Sequence, residues 1–239
     1  MNLEAGLYIV STPIGNLEDI TLRALSVLKE VDLIACEDTR RTGLLLAHYQ
    51  IKNRLISYHE YNKLQRTPEI LELLRQGKSV ALVSDAGTPG ISDPGFYLIR
   101  AAIEKNYRMI PIPGASAILA GIVISGLPSD RFAFEGFLPK REGRKMKKLE
   151  DLKLEPRTMI FYDSPNRVKR TLNDMLEIFS DRRIVLVREL TKKFEETLRG
   201  KISEIIEILE QRELKGEIVL IVEGWNENYH ATQSVCQTR

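Results

Sequence analysis

The residues of this chain best suited to chemistry stand directly behind short apolar runs. Glu37-Asp38-Thr39-Arg40 follows Leu33-Ile34-Ala35-Cys36, and the segment Ser84-Asp85-Ala86-Gly87-Thr88-Pro89-Gly90-Ile91-Ser92-Asp93-Pro94-Gly95 follows Val80-Ala81-Leu82-Val83. Glu37, Asp38 and Asp85 are carboxylates able to take up a proton, and Arg40 is a permanent cation that can hold an anion. The 84–95 segment carries three glycines, two prolines and two aspartates. Such a composition forms no regular structure, but it can bring backbone amides close to a ligand. Two further segments of this kind are Ser11-Thr12-Pro13-Ile14-Gly15-Asn16-Leu17-Glu18-Asp19-Ile20-Thr21 and Pro113-Gly114-Ala115-Ser116. A plainer reading stays open beside each: Asp19 caps a helix, Asp38 or Thr39 caps the next one, and Arg40 pairs with a carboxylate.

The elements that must position these residues are legible as alternating patterns. Apolar runs at 7–10, 33–36, 55–57, 80–83 and 109–112 read as short buried strands rich in Ile, Val and Leu. Helical patterns lie between them at 22–30, 40–49, 68–76 and 96–105, the third with Thr67 as N-cap, Pro68 at the first helical position and Gly77 at its close. Strand and helix in alternation predict a mostly parallel sheet covered by helices, whose strand-end loops converge on one edge. Open α/β sheets bind ligands at that edge. After an apolar helix at 117–124, the turn cluster Gly126-Leu127-Pro128-Ser129-Asp130 reads as the domain boundary, and the second half has a different texture. Strands at 132–137, 158–162, 184–187, 197–199 and 218–222, a helix opened by Ser164 and Pro165, and another at 202–210 predict a second, mixed α/β domain. The expected organisation is an N-terminal α/β domain over 1–118, a C-terminal one over 119–226, and a loose polar tail over 227–239.

Bulk properties narrow the function. A net charge of +2 over 239 residues announces no nucleic-acid partner, so any such contact must rest on local charge. The local charge is there: Lys140-Arg141-Glu142-Gly143-Arg144-Lys145-Met146-Lys147-Lys148 holds six cations and one anion. It reads either as a solvated loop and helix start or as a phosphate-contacting surface. Cys36 and Cys236 lie far apart without a CxxC partner, which points to a reducing cytoplasm. The start of the chain has no basic n-region, and no run reaches the roughly 18 apolar residues of a membrane span. His48, His59 and His230 show no ligand spacing, so no metal is expected, and neither a P-loop nor a G-x-G-x-x-G after the first strand is present.

The glycine-bearing segments resemble the tetrapyrrole-methylase superfamily, and more closely its ribosomal RNA small-subunit methyltransferase I family. The likeness runs in order from residue 7 to about 224, through Leu7-Tyr8-Ile9-Val10 and the 11–21 loop behind it, Ala35-Cys36-Glu37-Asp38-Thr39-Arg40, the 84–95 loop, Pro113-Gly114-Ala115-Ser116-Ala117, Gly126-Leu127-Pro128-Ser129-Asp130, Glu135-Gly136-Phe137-Leu138-Pro139, Arg188-Glu189-Leu190-Thr191-Lys192 and Glu217-Ile218-Val219-Leu220-Ile221-Val222-Glu223-Gly224. Asn166 stands where histidine is expected in many members. The resemblance implies two α/β domains with the cofactor cleft between them, S-adenosylmethionine as cofactor, and methylation of the ribose 2′-hydroxyl of a cytidine in the decoding region of 16S ribosomal RNA, free or in the assembled small subunit. It implies cofactor contacts at Ile14, Gly15, Gly87, Thr88, Pro89, Gly90, Ile91, Ser92, Asp93, Ser116, Ala117, Tyr162 and Leu190. Glu37, Asp38 and Arg40 then border the ribose, with Asp85 as a further proton acceptor and Lys192 on the opposite wall. RNA contacts are expected from Lys140, Arg141, Arg144, Lys145, Lys147, Lys148, Arg167 and Arg188, with Lys169 and Arg170 extending that surface. A homodimer is implied by the resemblance as well. Two other functions remain in view: a corrin-type small-molecule methylase, and a non-catalytic RNA-binding assembly factor.

Overall fold

The computed structural model describes residues 3–226, and the chain divides into two compact units between Ser116 and Ala117. The expected tail over 227–239, with His230 and Cys236, lies outside the described residues.

The first unit is built on strands β1 (Gly6–Val10), β2 (Leu33–Cys36), β3 (Leu55–Ser57), β4 (Ser79–Val83) and β5 (Met109–Ile112). All pair in parallel, in the order β3-β2-β4-β1-β5. Helices α1 (Leu22–Glu30) and α2 (Thr39–His48) cover one face, and α3 (Lys63–Arg75) and α4 (Gly95–Glu104) the other. Because alternate strand residues point to opposite faces, Tyr8 and Val10 pack with Val27, Leu28 and Leu46, while Leu7 packs with Ile70, Leu74 and Leu98. Each such fully buried aliphatic side chain contributes about 1.5–3 kcal/mol. The chain leaves β1 toward α1 on one face and leaves the adjacent β4 toward α4 on the other. Neighbouring strands whose connections diverge in this way open a crevice at their carboxyl ends, and the candidate loops stand there.

The second unit contains α5 (Ala117–Ser125), β6 (Phe132–Phe137), α6 (Glu142–Leu152), β7 (Thr158–Asp163), α7 (Pro165–Phe179), β8 (Arg183–Arg188), β9 (Glu196–Lys201), α8 (Ile202–Glu210) and β10 (Ile218–Val222). Its sheet runs β6-β7-β10-β8-β9; only β6 and β7 are parallel, and the other pairs are antiparallel. Helices α6, α7 and α8 bury their apolar stripes against one sheet face. Helix α5 packs on the opposite face, where a Cβ at Gly121 would stand 3.2 Å from Ile221 Cδ1. The turn at 126–130 therefore lies inside the second unit rather than between the two.

Two local expectations are corrected. Helix α3 begins at Lys63, not Pro68, because Asn62 organises a turn five residues earlier. The His59 N–H donates to Asn62 Oδ1 (2.8 Å), and Asn62 Nδ2 donates to the Ser57 carbonyl (3.1 Å). Thr67 is no cap; its buried hydroxyl bonds the Tyr58 hydroxyl at 3.0 Å, and Pro68 sits inside the helix. Similarly, Asp19 ends a short 3-10 turn capped by Asn16, and Thr21 caps α1 by accepting from the Ala24 N–H.

Candidate active site

In the first unit the strand-end loops are stitched to one another. Thr12 and Gly87 exchange backbone hydrogen bonds of 2.9 and 3.1 Å, joining the loop after β1 to the loop after β4. Ser11 Oγ meets Thr88 Oγ1 at 3.0 Å, and Thr12 Oγ1 donates to the Ser84 carbonyl at 3.1 Å. The loop after β5 closes against β1 because residue 114 is glycine: a Cβ there would approach Ser11 Cβ to 2.9 Å. Gly87 has a left-handed backbone, φ +77°, and a Cβ there would meet Ile14 Cγ2 at 3.6 Å and the Ala115 carbonyl at 3.9 Å. Gly87 and Ile14 are buried, and at Gly87 all three loops come within van der Waals reach of one backbone position. Gly15, Ile91 and Ser92 lie exposed on the same loops, while Thr88, Gly90 and Ser116 are partly exposed. Pro89 is buried. Asp93 has an internal job: its carboxylate accepts from the Gly90 and Gly95 N–H groups at 2.9 and 2.6 Å, fixing the loop, while burial pushes its pKa up.

The acidic cluster sorts itself by environment. Asp38 caps α2, accepting from the Arg40 N–H at 2.8 Å, and is gripped by the Arg40 guanidinium at 3.0 and 2.7 Å. Those bonds hold Asp38 down to about 2, so it is a poor proton acceptor, and Arg40 is occupied holding it. The plainer reading of this pair is the one the structure shows. Asp85 accepts from the Asp38 N–H at 3.0 Å and pairs with Arg41 at 3.3 Å, tying the loop after β4 to the end of β2. Glu37 differs. It is half-buried, and its pKa is raised first by desolvation and then by the nearby charges of Asp85 and Asp93, with Arg41 opposing.

In the second unit, Leu190 is buried within a tight turn where Glu189 and Thr191 both have positive φ, 53° and 65°. Non-glycine residues held there store strain, a frequent mark of a functional loop. Lys192 is drawn inward, and although desolvation works against its charge, Glu189 and Glu217, each at 2.9 Å, outweigh it and raise its pKa. Arg188 pairs with Glu196 and donates to the Lys215 carbonyl, both at 3.2 Å. Tyr162 packs between Phe134 and Phe137, and burial, helped by Glu217, raises its pKa.

The basic segment splits into two groups. Lys145 is a correction: it is buried at the α6–α7 contact, ion-paired with Asp174 and, at 3.4 Å, with Glu142. Lys148 binds Glu135 at 2.6 Å, Arg170 binds Glu142, and Arg167 Nη2 donates to the Leu138 carbonyl at 2.8 Å. These four serve the fold, because each faces a partner brought in by a different element. Lys140, Arg141, Arg144 and Lys147 are exposed.

A parallel α/β unit with stitched glycine loops, followed by a mixed α/β unit, defines a class, and comparison agrees. The description Tetrapyrrole (Corrin/Porphyrin) Methylases matches residues 6–206, and the chain belongs to that family. The fold is shared with solved methylases: a cobalt precorrin-4 methyltransferase (TM-score 0.67, 17% identity, covering 91% of this chain and 94% of the other), and Thermus thermophilus uroporphyrin-III C-methyltransferase complexed with S-adenosyl homocysteine (0.64, 19%, 91% and 97%).

Within that class the chain groups with the proteins named ribosomal RNA small subunit methyltransferase I. The protein of that name from Streptococcus pyogenes serotype M3 is 52% identical over 218 residues, 91% of this chain and 76% of its own length. The Bacillus subtilis protein is 49% identical over 220 residues (92% and 75%), and the Thermotoga maritima protein 49% over 218 (91% and 98%).

Proposed function

We propose that this chain is an S-adenosylmethionine-dependent methyltransferase acting on the ribose 2′-hydroxyl of a cytidine in the decoding region of 16S ribosomal RNA. The observation that carries the reading is the meeting of three strand-end loops at Gly87, in a chain half identical to small-subunit rRNA methyltransferases. The side-chain-free backbone at Gly87, beside Ile14 and Ala115, suits close backbone approach by a ligand. Ile14, Gly15, Gly87 to Ser92, Ser116 and Ala117 hold the donor, and Asp93 holds their loop in shape. When bound, the donor supplies a methyl group on a sulfonium, so the protein must align the hydroxyl in line with it and receive a proton. Glu37 is the acceptor best suited to that task, because its raised pKa brings it nearer to neutrality than Asp38. Lys140, Arg141, Arg144 and Lys147 contact RNA phosphates.

The working form is a homodimer in the cytoplasm. The predominantly apolar helix α5, with Val123 73% exposed, supports pairing with a second copy, and sedimentation will test it. Among the described residues no helix is long and apolar enough to cross a membrane.

The test is transfer of a labelled methyl group to unmethylated small subunits and, separately, to free 16S RNA, followed by mapping of the modified nucleotide. Label on the 2′-oxygen of one cytidine is the expected result, and the two arms tell which form is the substrate. Label on a base, or on a tetrapyrrole and not on RNA, overturns the proposal. RNA binding with no donor binding by calorimetry supports the assembly-factor reading instead.

A further inference from the structure

Strand β6 carries a β-bulge that changes what its last residue faces. Phe134 pairs with Ile160 and Gly136 with Phe161, leaving Glu135 as an extra residue. Without that insertion Phe137 would register with Asp163; with it, Phe137 registers with Tyr162. Side chains alternate along a strand, so the inserted residue moves Phe137 from the α6–α7 face to the face shared by Ile160 and Tyr162. Gly136 makes the bulge possible with φ +64°, and Lys148 of α6 clamps the extra residue by binding Glu135 at 2.6 Å. Arg167 pins the following turn through the Leu138 carbonyl at 2.8 Å and the Pro139 carbonyl at 3.4 Å.

The product is a fixed aromatic row. Tyr162 lies edge-on to Phe134 at 5.0 Å and tilted against Phe137 at 5.5 Å between ring centroids. The outermost ring, Phe137, is 56% exposed. A bulge, a left-handed glycine, a clamped carboxylate and a pinned turn are a large outlay for presenting one apolar ring to solvent. The exposed cations Lys140 and Arg141 follow it by three and four residues, within roughly 10–14 Å of extended chain. Exposed aromatic faces beside mobile cations are how proteins hold unstacked bases of single-stranded RNA.

Resting on the RNA-methylating reading, we propose that Phe137 is a stacking platform for an unpaired nucleobase of the RNA substrate, held in place by the bulge at Glu135-Gly136. Lys140 and Arg141 then take the phosphates flanking that base. Stacking depends on a flat π-face, so the ring's chemistry and not its bulk carries the effect.

The experiment compares Phe137→Ala, Phe137→Leu and Phe137→Trp for KM toward the RNA substrate, kcat, and affinity for S-adenosylhomocysteine, each variant first checked for an unchanged melting temperature. The expected result is that Ala and Leu raise KM for RNA between about fivefold and about 150-fold, the range of one base–aromatic stack. Phe137→Trp stays within about threefold of the native protein, and S-adenosylhomocysteine affinity is unchanged throughout. Full rescue by Leu shows simple apolar packing and overturns the proposal, as does an unchanged KM in Phe137→Ala. A parallel fall in S-adenosylhomocysteine affinity assigns the ring to the donor instead. If the native protein binds S-adenosylhomocysteine but methylates no RNA, the functional reading fails, an outcome distinct from an active enzyme indifferent to Phe137.

Discussion

Replacing Lys145 with alanine separates a cation that holds the fold from those that meet the substrate. The Lys145 side chain is 5% exposed on α6 and is ion-paired with Asp174 on α7, itself 13% exposed, and with the more open Glu142 at 3.4 Å. Removing the ammonium leaves the Asp174 carboxylate out of water without its compensating cation. Breaking a buried pair from one side costs about 3–5 kcal/mol. For a unit of this size each kcal/mol lowers the melting temperature by about 3–4 °C, so the transition should fall by roughly 10–20 °C. Arg144→Ala and Lys147→Ala change exposed groups and should stay within about 0.5 kcal/mol of native stability. Each should flatten the slope of log affinity for RNA against log salt by about 0.7–0.9, the share of one phosphate contact. Urea unfolding gives the first quantity, and RNA titrations between about 50 and 200 mM salt give the second. Lys145→Met combined with Asp174→Leu should regain most of the loss, since no charge is then left uncompensated. A Lys145→Ala protein with native stability and a flattened salt slope would refute this division of the basic segment.

Two further outcomes are expected. Gly87→Val puts a branched side chain at φ +77° and against Ile14 and the Ala115 carbonyl; it should strain the loop by about 1–3 kcal/mol and abolish S-adenosylhomocysteine binding by calorimetry, and normal affinity would remove Gly87 from the donor site. Glu37→Gln should lower kcat by about 10²- to 10⁴-fold with donor affinity kept, a loss under tenfold excluding Glu37 as the proton acceptor. Burial and its acidic neighbours raise the pKa of Glu37, so the acid limb of the native pH–rate profile should lie above the ordinary carboxylate range. The folded protein then binds its proton more tightly than the unfolded chain, and stability is lost as pH rises from the ordinary value through the raised one. Glu37→Gln should therefore be the more stable protein at neutral pH, and equal stability at every pH would count against the shift.

Much of the architecture was legible locally. The strands at 33–36, 55–57, 109–112, 132–137 and 218–222 and the helices at 22–30 and 202–210 have the bounds their apolar runs and end signals indicate. Short-range physics sets these elements: period-two or continuous apolar runs, caps, and turn residues that permit few backbone alternatives. The same logic brings the loops after β1, β4 and β5 together, because parallel strands present their carboxyl ends on one edge. Helix α3 escaped it because Asn62 bonds back to Ser57 and outweighs the start signal at Thr67-Pro68. The sequence offered the Asp38 cap and its Arg40 pairing as one reading but could not choose between it and catalysis, nor tell which cations of the basic segment are buried. Asp38 and Glu37 are adjacent in sequence yet carry opposite pKa shifts, one held down by Arg40 and the other pushed up by burial beside Asp85 and Asp93.

What the sequence determined by itself is thus the list of elements, the glycine loops at the sheet's ligand edge and the family they announce. Only the tertiary structure decided which cations are free, which carboxylate can accept a proton and which way Phe137 faces. Lys145 meets Asp174 from 29 positions away, Asp85 reaches the end of β2 across 47, and Phe137 is turned by a register shift against β7. A charge or a ring takes its role from desolvation and from the partner opposite, and both are set by packing between elements distant in the chain, which no local pattern encodes.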